Sequence, residues 1–243
     1  MQPVQELICG EVVAAPRCYR GVVQEMTLEA AERTGVSIRP ARPEDAPQAA
    51  HLMYLSAPSV ALTIFGGGET NVVRIFGEPF PIPNHIYSYT HAFVAERGGS
   101  IAGLFAGFDR KTWEAAAPAV ITEIGFRWFR IVGLLHLPRI ISAAMDLIRA
   151  FHPPSDGEYI IHMLAVLPEM RRQGIGTQLV EYAAHQARCK GLNRLVLDVL
   201  IDNEGARRFY ESVGFQAIKA VRDSRYCRRF GVKGSLRMAK PLT

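Results

Sequence analysis

One ordered run constrains this chain more than any other: an apolar strand, a glycine-bearing turn, a helix and a second strand. Tyr159 to Leu167 is strand-like and is stopped by Pro168. Arg171-Arg172-Gln173-Gly174-Ile175-Gly176 follows and opens a helix that runs to about Lys190, with Gly191 closing it. Inside that helix Ile175, Leu179, Ala183 and Ala187 recur every four residues, a stripe that faces a core. Leu195, Leu197 and Val199 then alternate along the next strand. Glycine lets the turn bend sharply and lets a ligand approach the backbone. The unpaired N–H groups and positive dipole end of the helix suit an anion, so the turn reads as a phosphate cradle. A Gly-x-Gly run by itself is weak, because many such turns carry glycine for steric reasons alone.

A second block follows about thirty residues on: Asn203-Glu204-Gly205-Ala206-Arg207-Arg208-Phe209-Tyr210, then Val213-Gly214-Phe215. Together the two blocks resemble the GNAT superfamily of acyl-CoA-dependent N-acyltransferases. The first fits that family's pyrophosphate loop, with Arg171, Gly174 and Gly176 in register. The second fits its Asn-x-x-Ala-x-x-Phe-Tyr-x-x-x-Gly-Phe signature, with Asn203, Ala206, Phe209, Tyr210, Gly214 and Phe215 in register. The close likeness covers Tyr159 to Val221, and a looser one reaches back to Ile38 and on to Ser235-Leu236-Arg237-Met238. It implies an α+β fold, a mixed twisted β-sheet flanked by helices, with acetyl-CoA as the acyl donor.

The resemblance also assigns roles. Main-chain amides from Gln173 through Thr177, Ile175 among them, would face the pyrophosphate, with Arg171 and Arg172 nearby or simply solvated. Leu164, Ala165 and Val166 would pair with the pantetheine arm at a strand that splays from its neighbour. The Val166 N–H would steady the thioester oxygen, a contribution of roughly 3 kcal/mol in the transition state. Asn203 would contact the cofactor, cap its helix, or do both, and Phe209 would border the site. Tyr210 stands where the family places the acid that protonates the departing sulfur; its other reading is a core aromatic packed with Phe209. His162 matches a histidine that arylalkylamine acetyltransferases use as a base, although their second strand histidine is replaced here by Ile160. A hydrogen-bonded core histidine is the plainer reading. Glu158, on the same strand side by period two, would serve instead or orient the imidazole.

The rest of the chain is less explicit. Residues 1–36 read as an N-terminal extension with a helix at Thr27 to Arg33, and residues 37–243 as the acyltransferase domain. Val36 to Arg39 predicts a strand and Ala46 to Leu55 a helix; residues 56–90 show no clear period. Phe93 to Glu96 and Ile101 to Phe108 predict a hairpin around Gly98-Gly99. A helical insertion at about 110–157 is expected, with helices at Ile121–Leu137 and Arg139–Ala150 separated by Pro138. Its role stays open between extra core, an acceptor-pocket wall and a basic face toward a membrane. The arginines from Arg222 to Arg237 read as a solvated hairpin of closing strands, with nucleic-acid binding as the lesser alternative.

Composition sets outer bounds. With 243 residues, 49% of them hydrophobic, the chain can bury a substantial core. Cys9, Cys18, Cys189 and Cys227 lack zinc-ligand spacing, so no metal is implied. Leu52 to Gly68 and Ile124 to Phe151 are interrupted by Pro58 or by charges, which is wrong for a span, and no secretory start is seen. The expectation is a cytoplasmic enzyme that moves an acetyl group from acetyl-CoA to a primary amine of a small molecule. Acetylation of a protein N-terminus or lysine, and a non-catalytic acyl-CoA sensor, are the alternatives.

Overall fold

The computed structural model describes residues 35–120, 124–133, 137–150 and 152–242. The reading of residues 1–34, Cys9 and Cys18 included, lies outside the described residues. A single seven-stranded sheet organises the rest. Its strands are β1 (Val36–Pro40), β2 (Ala92–Arg97), β3 (Ser100–Asp109), β4 (Glu158–Val166), β5 (Arg194–Leu200), β6 (Gln216–Val221) and β7 (Ser235–Pro241), in spatial order β1-β2-β3-β4-β5-β7-β6. The predicted hairpin is β2–β3, with Gly98 and Gly99 both left-handed at its turn. Only β4 and β5 run parallel; a parallel step needs a crossover, which the helix α7 at Ile175–Cys189 supplies.

The described helices before it are α1 (Ala46–Ser56), α2 (Pro58–Phe65), α3 (Gly68–Gly77), α4 (Arg110–Ala116), α5 (Gly125–Val132) and α6 (Leu137–Ala150). After it come α8 (Glu204–Ser212) and α9 (Ser224–Phe230). α7 and α8 cover one face of the sheet. Their Ile175, Leu179, Ala183, Ala187 and Tyr210 bury against Phe105, Tyr159, Ile161, Leu197 and Met238. α1 to α3 cover the other, where Leu52, Met53, Val72, Ile75 and Phe76 meet Val94, Leu104, Ala106 and Ala165. The stripe read along α7 is therefore the stripe that packs.

Three expectations are corrected. The predicted Ile121–Leu137 helix is not one element: α5 stops at Val132, before a left-handed Gly133 at φ 76°. Pro138 does not separate two helices; it occupies the first turn of α6, where its missing N–H costs nothing. The arginine-rich stretch is not a plain hairpin, because α9 sits between β6 and β7, capped by Asp223 Oδ1, which accepts from the N–H groups of Arg225 and Tyr226. Among the described residues no helix is long and apolar enough to cross a membrane.

Candidate active site

The sheet opens between β4 and β5. These strands pair only from Glu158–Arg194 to Ile161–Leu197, while β5 remains paired with β7 along its whole length and β4 with β3 as far as Val166. His162 to Val166 therefore lie along an open edge. The Leu167 N–H donates to Ala102 O at 2.9 Å. Strand groups alternate in direction, so the main-chain groups of Leu164 and Val166 point away from β3 and into the opening. Val166 O accepts from Arg171 Nε at 3.1 Å.

A β-bulge begins the opening. Ala106 pairs with Met163 and Gly107 with Ile161, which leaves His162 as the extra residue. Gly107 is required there: a Cβ would lie 2.6 Å from Ile160 O and from the Tyr159 ring. Beyond β4, Arg172 at φ 60° and Gly174 at φ 78° turn the chain into α7. The first N–H groups of that helix, at Ile175, Gly176 and Thr177, have no intrahelical acceptor. Gly176 sits against the Phe209 ring, where a Cβ would approach to 3.1 Å, so α8 closes on the start of α7. Gln173 donates its side-chain amide to Glu169 O. Asn203 caps α8, its Oδ1 accepting from Ala206 N–H at 3.1 Å. Tyr210 packs tilted against Phe209 and edge-on to Phe215 in the same apolar cluster as Leu164 and Val166, and burial pushes its hydroxyl well above the ordinary range.

The opposite face carries a buried histidine and buried carboxylates. His162 is enclosed by Tyr87, Phe108 and Trp113, with ring centroids at 6.2, 5.4 and 5.9 Å. Its Nε2 is buried without a hydrogen-bond partner. Burial in this apolar box lowers the imidazole to about 4. Glu158 is four residues away, roughly 13 Å along a strand, so the two are not brought together. The Glu158 carboxylate accepts from Ser155 N–H and lies 3.4 Å from Arg194 and 3.5 Å from Arg237.

Sequence reading missed Asp198. It is the first β5 residue beyond the last β4–β5 pair, as His162 is on β4. It shares the His162 face by alternation, since Ile160 and Val196 pack together there. Burial raises its carboxyl to about 6, with Arg237 at 3.1 Å and Lys219 opposing the rise and Glu158 adding to it. The available signal was a lone carboxylate at an alternate position of the apolar run Leu195 to Val199.

Helices roof this face. Trp128 on α5 donates to Ile75 O at 2.9 Å, and Arg139 on α6 donates to Thr63 O at 3.0 Å. Arg229 on α9 pairs with Asp146 and Ser142 on α6. Phe65, Phe76, Tyr87 and Trp128 form a continuous ring network beneath.

A sheet splayed at one parallel junction, with a glycine turn and helix N-terminus at its mouth, defines an acyltransferase architecture. The model of the Acetyltransferase (GNAT) family matches residues 74–215, more than half of the 243 residues, and the chain belongs to that family. N-alpha-acetyltransferase 30 of Schizosaccharomyces pombe is 42% identical over 61 residues, covering 25% of this chain and 41% of that protein. Mycothiol acetyltransferase of Corynebacterium diphtheriae is 28% identical over 117 residues, 44% of this chain and 36% of its own. The ribosomal protein bS18 alanine N-acetyltransferase of Escherichia coli is 31% identical over 86 residues, 35% of this chain and 57% of its own. The chain thus spans about a third to three-fifths of the length of these curated relatives. Among solved structures, an acetyltransferase superposes with TM-score 0.61 at 23% identity, covering 85% of this chain and 99% of its own. The PaiA N-acetyltransferase of Thermoplasma acidophilum, in complex with coenzyme A, gives 0.51 at 14% identity, covering 85% and 98%.

Proposed function

We propose that the protein transfers an acetyl group from acetyl-CoA to the primary amine of a small molecule. The observation that carries the reading is the opening of β4 from β5 after Ile161 and Leu197, continuous with the free amides of α7. The residues suit the donor. Gly174 and Gly176 leave the mouth clear of Cβ atoms, and Gln173 through Thr177 would hold the pyrophosphate with main-chain N–H groups. Leu164, Ala165 and Val166 would border the pantetheine arm, with Arg171 and Arg172 exposed beside the phosphates. When bound, the donor supplies an acyl thioester, and no covalent enzyme intermediate is required.

Each side chain then has a defined task. The Val166 N–H, aimed into the opening, would bond the carbonyl oxygen as it gains charge. A base must take the ammonium proton, and magnitudes favour Asp198. From an alkylammonium near ~10.4, transfer to a carboxylate near 6 is uphill by about 6 kcal/mol; transfer to an imidazole near 4 is uphill by about 9 kcal/mol. His162 then acts as a neutral hydrogen-bond partner beside the amine. The nitrogen forms its bond to the carbonyl carbon, the carbon–sulfur bond breaks and Tyr210 protonates the sulfur; the second proton then leaves the acetylated nitrogen and restores the Tyr210 hydroxyl, and Asp198 gives its proton to solvent. The raised Tyr210 hydroxyl stays protonated at neutral pH, so the transfer to sulfur must be concerted with cleavage. Glu158 and Asn203 serve the architecture, as a buried ion-pair partner and as a helix cap.

The acceptor is assigned to the His162 face, which α2, α5, α6 and α9 roof through the Arg139–Thr63 O, Trp128–Ile75 O and Arg229–Asp146 contacts, and a covered face favours a small one. The second reading, a polypeptide N-terminus, draws on the names of two relatives. Thiol release from acetyl-CoA, measured with panels of small amines and of short peptides, tests both. Faster release with small amines supports the proposal, and faster release with peptides replaces it. Saturable coenzyme A binding without release for any amine would leave a sensor.

A further inference from the structure

Arg237 on β7 is 7% exposed and meets four acceptors from three directions. Its Nη1 donates to His152 O at 2.7 Å and to Asp198 Oδ2 at 3.1 Å. Its Nη2 donates to Pro153 O at 3.4 Å and lies 3.5 Å from Glu158 Oε2. His152 and Pro153 end the segment that carries α4 to α6 back to β4. Asp198 is the register partner of Arg237 across the β5–β7 ladder. One planar guanidinium therefore touches the end of the helical roof and the carboxylate at the opening.

Resting on the reading that Asp198 is the base, we infer that Arg237 is a positioning residue that couples the seating of the roof to the ionisation of Asp198. The reasoning is geometric. A guanidinium presents its donors in a rigid fork, so the two main-chain carbonyls fix the plane in which it meets Asp198. If the 152–153 segment lifts, the fork loses that reference, and the charge facing Asp198 weakens. The carboxyl then takes up a proton and cannot accept one from the acceptor. If the segment is seated, the carboxylate is held ionised against its burial. The other groups around Asp198 are Glu158 on β4, Lys219 on β6 and Tyr226 on α9. Lys219 is itself 2.9 Å from His152 Nε2, which draws a second cation to the same segment.

The test reads Asp198 directly in the full-length protein, without turnover. Carboxyl carbon NMR titration, assigned by loss of the signal in Asp198→Asn, gives the midpoint in the parent, Arg237→Lys and Arg237→Met. Losing an opposite charge at this distance raises a carboxyl by about one unit or more. Arg237→Met is expected to shift the midpoint up by that amount. Arg237→Lys, which keeps the charge but not the fork, is expected to shift it part of the way. Amide exchange at Ser155 and Glu158 should accelerate about tenfold in both. A midpoint that stays put in folded Arg237→Lys, or one that moves while exchange at 155–158 is unchanged, overturns the coupling. If Arg237→Met does not fold, Arg237→Lys decides. Failure of acetyl transfer in the parent is a separate result, since neither readout depends on it.

Discussion

The two sides of the β4–β5 opening are built from different materials. The α7 side consists mainly of main chain: glycines, a helix N-terminus and strand amides, with Tyr210 the side chain given a task there. The α1–α6 side consists of side chains: His162 in an aromatic box, Asp198 against Arg237, Trp128 and Arg139 reaching for carbonyls. The first side resists a Cβ at two positions, Gly174 for its positive φ and Gly176 for its contact with Phe209, and is indifferent to most side chains. The second can be re-cut by substitution without touching the strand amides.

Substitutions on the two sides should break this comparison if it is wrong. Gly174→Val places a β-branched residue at φ 78° and should lower coenzyme A affinity at least about a hundredfold by calorimetry, since both strain and bulk act on the amides. Asp198→Asn should leave that affinity intact and reduce turnover about a hundredfold. It should also stabilise the fold at neutral pH. A carboxyl raised from 3.8 to about 6 costs about 3 kcal/mol when ionised, a penalty absent below pH 4 and complete above pH 6. Thermal melts of the parent and variant across that window check the sign. Tyr210→Phe should lower turnover about tenfold with coenzyme A affinity unchanged. Trp128→Ala should change the ranking of acceptors several-fold, through the ring network, and leave coenzyme A binding alone. Arg171→Ala, on the main-chain side, should weaken coenzyme A by no more than about threefold, because an exposed charge is screened.

How much of this was legible in the sequence follows the same division. β4, α7, β5 and α8 were readable because period and punctuation agree: four-residue spacing in α7, alternation in β5, and Gly157, Pro168, Gly174, Gly191, Asn203 and Gly214 at the boundaries. The hidden region was 56–90. α2 is only eight residues long and its polar side is just Ser59 and Thr63, so its stripe of Val60, Ala61, Ile64 and Phe65 is too short to read, and α3 begins on the last of three successive positive-φ glycines that read as loop. Asp198 was hidden for another reason. Alternation says only that it faces away from Leu197, and a carboxylate there looks solvated. That the second face of β5 is also covered depends on Phe108 and Ala116, which arrive from far along the chain. The match of Arg237 to Asp198 is likewise a matter of register across β5 and β7, which no local pattern encodes.

The bulge at His162 carries a last consequence. Ile161 and Met163 already have consecutive partners on β3, Gly107 and Ala106. Were position 162 deleted, the ladder would close and every neighbouring residue would keep the orientation it has now. The ladder thus holds one member more than its pairing needs, set at the threshold of the cleft.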